Sequence, residues 1–254
     1  MRLAEWFYSI QGEGVTAGVP SLFIRFAGCN FMCGGFKGAL VGKENDGKQV
    51  TWWCDTEPVW KAGRNITTQA LMEEIKEAYP DLLWWLRQRK AHIIFTGGEP
   101  LLPQNMEAII EIDQWLQRAH RLYPRIDAYY EVETNASMAE DYGFFHQVNA
   151  SPKLANSGMS RALRQNENAI DRIIDHPNGW FKFVVNTEDD IKEIETEWVK
   201  ELEIPEDRII LMPGVDKLVD LQRTSQFAAE KAIERGWRFT SRLQVSIWDQ
   251  TTGV

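Results

Sequence analysis

Ser21-Leu22-Phe23-Ile24-Arg25-Phe26-Ala27-Gly28-Cys29-Asn30-Phe31-Met32-Cys33 holds the pattern that organises this chain. Residues 21–27 have the apolar, β-rich character of a strand, with Arg25 as their one charge. A glycine and a Cys-x3-Cys pair follow at once. Other apolar runs end in the same abrupt way. The run 92–96 (HIIFT) stops at Gly97-Gly98-Glu99-Pro100, and 128–132 (AYYEV) leads into Glu133-Thr134-Asn135. Residues 147–150 stop at Ser151-Pro152-Lys153, and 208–212 (RIILM) at Pro213-Gly214-Val215-Asp216. A further apolar run is 180–185 (WFKFVV).

Helical periodicity fills the intervals: 67–78, with Thr67 or Thr68 as N-cap, then 105–123, 138–145, 169–175, 187–203 and 216–235. Strands alternating with helices imply right-handed crossovers and a largely parallel sheet. Ligands of such sheets gather at the carboxyl ends of the strands, where these polar motifs lie.

The chain has 254 residues, enough for one sizeable core, either a single α/β barrel-like domain or two small ones. Hydrophobic content of 44% with 26% charged residues describes a globular protein without a run long enough to span a membrane. Met1-Arg2-Leu3-Ala4-Glu5-Trp6 lacks an apolar h-region, so no signal peptide is expected and the location is expected to be cytoplasmic. A net charge of −9 argues against non-specific nucleic-acid binding. The eleven tryptophans, some paired as Trp52-Trp53 and Trp84-Trp85, read first as packing residues.

Cys29, Cys33 and Cys54 are the only cysteines. An odd number argues against a disulfide framework. A structural zinc site closes with four Cys or His ligands, and His92, His120, His146 and His176 all lie far away in sequence. Three thiolates can instead hold three irons of a four-iron cluster and leave the fourth open. Inert buried thiols are the alternative. The interval 34–53, rich in Gly and Lys, reads as a surface flap with a hairpin at Asn45-Asp46-Gly47. Gly97 and Gly98 let a backbone approach a ligand closely, and Glu99 could hold an ammonium. Glu133 and Asn135 suit ribose hydroxyls or an amino-acid moiety, and Ser151 and Lys153 a carboxylate. Together these groups suit a zwitterionic amino acid joined to a nucleoside, beside a metal.

The cysteine segment, the Gly-Gly-Glu-Pro after a strand and the Glu-Thr-Asn motif resemble a radical S-adenosylmethionine enzyme. The stretch 5–14 (EWFYSIQGEG), then 18–29 (GVPSLFIRFAGC), with Trp53-Cys54-Asp55-Thr56 and the Ser-Pro-Lys, resembles the 7-carboxy-7-deazaguanine synthase family. The resemblance runs from Glu5 to about Asp216. It implies one domain over 1–254, an α/β fold built as a partial, open (β/α) barrel of about six parallel strands, and a homodimer.

It further implies a [4Fe–4S] cluster on Cys29, Cys33 and Cys54, whose open iron is chelated by S-adenosyl-L-methionine. Gly97, Gly98 and Glu99 would border the methionine end, and Glu133, Asn135, Ser151 and Lys153 the rest of that cofactor. Gln11, Glu13 and Arg25 would contact a pterin substrate, 6-carboxy-5,6,7,8-tetrahydropterin, and Thr56 would ligate Mg²⁺. The implied reaction is radical ring contraction to 7-carboxy-7-deazaguanine with loss of ammonia, in deazapurine (queuosine-type) biosynthesis. A flavodoxin-like or ferredoxin-like protein would donate electrons. The family's Gln-x-His-Lys pattern near the C-terminus is replaced by Leu243-Gln244-Val245-Ser246-Ile247-Trp248, with Ser246 where histidine is expected. Two alternatives are another radical enzyme, such as an activase of a partner protein, and a zinc-stabilised binding protein without activity.

Overall fold

The fold is taken from a computed structural model, which describes residues 1–45, 47–118, 127–215, 217–251 and 253. The chain begins with β1 (Arg2–Ile10) and β2 (Pro20–Phe26), then the two-residue strands β3 (Glu44–Asn45) and β4 (Lys48–Gln49). Next come α1 (Glu57–Lys61), β5 (Arg64–Asn65), α2 (Thr68–Ala78), α3 (Leu82–Arg87), β6 (His92–Gly97), α4 (Pro103–Arg118), β7 (Tyr129–Thr134) and β8 (Gln147–Ala150). After α5 (Arg161–Arg164) and α6 (Glu167–Asp175) lie β9 (Gly179–Val185), α7 (Glu188–Glu193), β10 (Ile209–Pro213), α8 (Leu218–Arg235), β11 (Arg238–Phe239) and α9 (Leu243–Trp248).

One nine-stranded sheet organises these elements, in the order β11-β10-β9-β8-β7-β6-β2-β1-β5. Every pairing from β2 across to β11 is parallel; β1 pairs antiparallel with β2 and with β5. The fold is therefore mixed α/β with a mostly parallel sheet, as the strand–helix rhythm implies. The central strands alternate: every second residue packs under the helices, while the residues between, among them Arg25, Thr96, Glu133, Asn149 and Lys182, face the cavity. Leu22, Ile24, Phe26, Ile93, Phe95, Val132, Val148, Phe181, Phe183 and Leu211 pack in one core with Leu71, Ile75, Ile109 and Ile112 of α2 and α4. No described helix is long and apolar enough to cross a membrane.

Parallel register brings the strand ends together. Phe26 lies opposite Gly97, and Thr134 opposite Ala150. The glycine pair is required by this closeness. A Cβ on Gly98 would sit 2.1 Å from the Gly28 carbonyl and 2.7 Å from Cys29 Cβ, and one on Gly97 2.5 Å from the Phe26 carbonyl. The loops after β2 and β6 therefore touch backbone to backbone, with Glu99 N donating to the Gly28 carbonyl at 3.0 Å.

Three expected elements differ. No α-helix forms over 138–145; only a 3₁₀ turn at Tyr142–Phe144 is present. The Met138 carbonyl, which a helix would spend on a backbone N–H, accepts from the Tyr142 hydroxyl at 2.6 Å instead. The expected helix 187–203 starts as α7, capped by the Thr187–Asp190 box, and then widens into a π-helix at Ile194–Glu201. The widening follows Glu193, a carboxylate fully buried against Arg164. Conversely, β1 is a nine-residue strand in a stretch singled out above for its motif alone. Residues 119–123 of the expected 105–123 helix, and Asp216 of 216–235, lie outside the described residues.

The flap contains the expected hairpin, with Glu44 opposite Gln49 and Asn45 opposite Lys48. It is pinned to the body at several points. Gly34 N donates to the Ser157 carbonyl at 2.7 Å, Thr51 N to the Asn156 carbonyl at 3.0 Å, and Trp52 Nε1 to Asn156 Oδ1 at 2.9 Å. Lys48 Nζ reaches the buried Glu193 at 2.6 Å.

Candidate active site

A cavity of about 630 Å³ opens at the carboxyl ends of the strands. That is ample for a small-molecule site. All three cysteines line it, together with Gln11, Glu13, Arg25, Thr56, Gly97 and Gly98. Glu133, Asn135, Ser151 and Lys153 complete the set of expected residues on its wall. The flap supplies part of that wall through Val41, Thr51, Trp52 and Trp53.

The cysteines are free thiols. Phe31 N donates to Cys29 Sγ at 3.4 Å, and Cys54 N to the Cys33 carbonyl at 3.2 Å, so the flap returns its last cysteine to the first pair. Cys54 Sγ and Thr56 Oγ1 are 3.3 Å apart. Burial pushes the Cys29 thiol up to about 11 and Cys33 to about 12. Soft metal ions bind thiolates, so loading a cluster here would release protons. Among the described residues no three His, Cys, Asp or Glu side chains are gathered closely enough for a single metal ion.

Glu99 does not line the cavity. Its carboxylate is fully buried and accepts from Asn135 N at 2.8 Å, Thr134 Oγ1 at 2.9 Å and Leu101 N at 3.0 Å. It braces the loop after β6 against the end of β7. Burial, only partly offset by these donors, raises it to about 6. Asn135 Nδ2 donates in turn to Asn30 Oδ1 at 2.9 Å, tying β7 to the cysteine segment. Lys153 Nζ is folded back on Ser151, 2.7 Å from its carbonyl and 3.1 Å from its hydroxyl.

On the same cavity, Glu133 accepts from Gln11 Nε2 at 3.1 Å and from Thr96 Oγ1 at 2.9 Å. Arg25 Nε pairs with Glu5 at 2.9 Å. Glu13 meets Lys182, Arg242 (3.0 Å) and Gln244 Nε2 (2.7 Å). Burial alone would raise Glu13, but the two cations outweigh it and hold the carboxyl well below the usual range.

Lys182, Arg242 and Gln244 were not anticipated. Lys182 could have been flagged as the lone charge of an apolar strand, as Arg25 is in β2. Arg242 and Gln244 carry no such signal. Ser246, expected at the missing histidine's place, is exposed and donates to the Leu243 carbonyl at 2.8 Å. The α9 side chains that enter the cavity include Gln244, with Arg242 just before the helix.

A mostly parallel α/β sheet that collects three cysteines and a set of strand-end polar groups on one cavity is consistent with the radical S-adenosylmethionine class. No protein-family model matches the chain. Among curated proteins it is similar to the 7-carboxy-7-deazaguanine synthase of Pyrobaculum aerophilum, 27% identical over 253 residues that cover 100% of this chain and 97% of that protein. The 7-carboxy-7-deazaguanine synthase of Halobacterium salinarum is also 27% identical, over 98% of this chain and 91% of its own. Among solved structures, QueE from Escherichia coli superposes with a TM-score of 0.61 at 21% identity, covering 95% of this chain and 93% of that one, which is a likeness of fold. The resemblance seen in the motifs to the 7-carboxy-7-deazaguanine synthases is thus borne out along the whole chain.

Proposed function

We propose that this chain is a radical S-adenosylmethionine lyase that converts 6-carboxy-5,6,7,8-tetrahydropterin to 7-carboxy-7-deazaguanine, with loss of ammonia, in deazapurine biosynthesis. One observation carries the reading: Gln11, Glu13 and Arg25 share a single cavity with Cys29, Cys33 and Cys54. A radical enzyme needs its cluster and its substrate in one enclosed space.

The donor set fits a [4Fe–4S] cluster, since three free soft ligands on one wall leave one iron open for a chelating cofactor. Gly97 and Gly98, on the cavity wall beside the cysteine loop, would border the methionine end. Glu133, Asn135, Ser151 and Lys153 would line the rest, with Lys153 as counter-charge to a carboxylate. Thr56, an oxygen donor beside Cys54, would serve Mg²⁺. When bound, the cluster and cofactor would supply the one-electron reduction and the radical hydrogen abstraction.

The protein's own part is positioning. Arg25 offers a planar fork to the substrate carboxylate, with Glu5 holding the guanidinium in place. Gln11, anchored on Glu133, and ionised Glu13 present acceptors to the ring N–H groups. Glu99 acts as a brace and leaves cofactor contact to its neighbours. The partial, open barrel is supported by reach across the sheet: Gly14 N donates to Thr240 Oγ1 at 2.9 Å, and Glu13 reaches Lys182 on β9. Exposed Trp84 and Trp85 are where a second copy would pack in a homodimer. A flavodoxin-type or ferredoxin-type donor is required by the chemistry, and the setting is cytoplasmic.

The reading is tested by anaerobic cofactor cleavage on reconstituted, brown protein. Cleavage should rise at least about tenfold on adding 6-carboxytetrahydropterin, and Arg25→Met should abolish that rise. A colourless zinc protein, or stimulation by a partner protein and not by the pterin, contradicts it.

A further inference from the structure

Arg242 joins two loops that line the cavity. Nε donates to Glu13 Oε1 at 3.0 Å, Nη2 donates to Asp55 Oδ2 at 3.1 Å, and Nη1 donates to the Val215 carbonyl. These partners are 229, 187 and 27 residues away in sequence. Glu13 belongs to the segment that carries Gln11, and Asp55 stands between Cys54 and Thr56. The guanidinium side chain is only 17% exposed. Each of its three nitrogens serves a different partner, a division that the single nitrogen of lysine cannot reproduce.

The two carboxylates are held very differently apart from this link. Glu13 is also gripped by Lys182 and Gln244, whereas the side chain of Asp55 is 43% exposed and Arg242 is its ion-pair partner. Beyond its local backbone bonds to α1, the Cys54–Thr56 segment is tied to Cys33 by one backbone bond and to Glu13 through Asp55 and Arg242. We propose that Arg242 is a positioning residue, which sets the spacing between the cysteine segment 54–56 and Glu13. It does so without itself holding cofactor or substrate. What stands on the two sides rests on the functional reading above; the link between the two loops does not.

Two experiments separate the inference from that reading. In cluster-free protein, urea unfolding of Glu13→Gln, Asp55→Asn and the double variant should be non-additive by about fivefold or more in the unfolding constant. The same cycle should be additive in an Arg242→Lys background. Additivity with Arg242 present overturns the inference whatever the protein catalyses. In the loaded enzyme, Asp55→Asn, which cuts the link gently, should keep its iron and its cofactor cleavage without pterin. Its kcat with 6-carboxytetrahydropterin should fall about 10- to 100-fold, because small misplacements cost that much.

Arg242→Ala should fall at least as far and be partly rescued by millimolar guanidinium ion, while Arg242→Lys should not recover. Unchanged kcat in Asp55→Asn, loss of iron in that variant, or rescue by lysine overturns the positioning role. A wild-type enzyme that makes no deazaguanine overturns the functional reading and leaves the urea cycle to decide on Arg242.

Discussion

Glu13 and Lys182 form an ion pair on the cavity wall between residues 169 positions apart, with side chains only 12% and 8% exposed. Burial works against both charges, and each survives because the other is there: the carboxylate is held low, and the ammonium is held above its ordinary range. Removing Glu13 strands Lys182, and removing Lys182 leaves Glu13 buried with Arg242 as its one cation among the described residues. Lys182→Met should cost about 3–5 kcal/mol in urea unfolding, and Glu13→Gln with Lys182→Met should recover part of it. A cost below about 1 kcal/mol would mean that Arg242 alone suffices for Glu13.

The same pair sets an acid limit. Because Glu13 is depressed when folded, its contribution is present above the unfolded value of 4.5 and is lost as pH falls through the lower folded value. Unfolding followed from pH 5 downward should show a steeper loss of stability in wild type than in Glu13→Gln. Equal slopes would contradict the pairing.

Glu99 behaves in the opposite sense. It rises from 4.5 to about 6, so the folded state holds its proton more tightly than the unfolded state. Its contribution is present at low pH and is lost as pH rises between those two values, roughly 2 kcal/mol in all. Cluster-free wild type should therefore lose relative stability between pH 4.5 and 6.5, and Glu99→Gln should lack that component. The comparison is of slopes, since the amide also alters the bonds from Asn135 and Thr134.

Two glycines separate crowding from strain. Gly98→Ala forces a Cβ onto the Gly28 carbonyl and Cys29, and should cost several kcal/mol or abolish iron loading. Gly236→Ala, at φ 69° with nothing within 4 Å, should cost only about 1 kcal/mol through its left-handed backbone. Thermal unfolding and iron content measure both. Equal costs would show that the loops after β2 and β6 are free to part.

The flap should loosen before the fold does. Lys48→Met removes the contact with Glu193, which keeps Arg164 and Ala155 N as partners. Limited proteolysis should cut within 34–53 several times faster in the variant, with thermal stability changed by about 1 kcal/mol or less. Unchanged cleavage would mean that Asn156 and Ser157 hold the flap without help.

Legibility in the sequence followed physical range. The parallel strands were readable because short β-rich runs ended in glycine and polar motifs, and such ends must share one rim. That the cysteines and Gln11, Glu13 and Arg25 come to one cavity was readable because their motifs are contiguous. Lys182 and Arg242 were not, since their meaning lies in contacts made across the sheet. The motif around Glu99 fixes a loop without saying which way the carboxylate turns, and the fold turns it inward to Asn135, Thr134 and Leu101. The segment 138–145 has helical periodicity, yet side-chain bonds to its backbone compete with a helix, and periodicity cannot register that. The expected histidine was sought at Ser246, whereas the turn of α9 brings Gln244 to the cavity.

The most direct test of the central claim is anaerobic turnover of reconstituted protein with S-adenosylmethionine, Mg²⁺, a reductant and 6-carboxytetrahydropterin, followed by mass spectrometry. The account predicts a 7-carboxy-7-deazaguanine peak that disappears in Cys33→Ala. Cofactor cleavage by the brown wild-type protein with no such peak would contradict it.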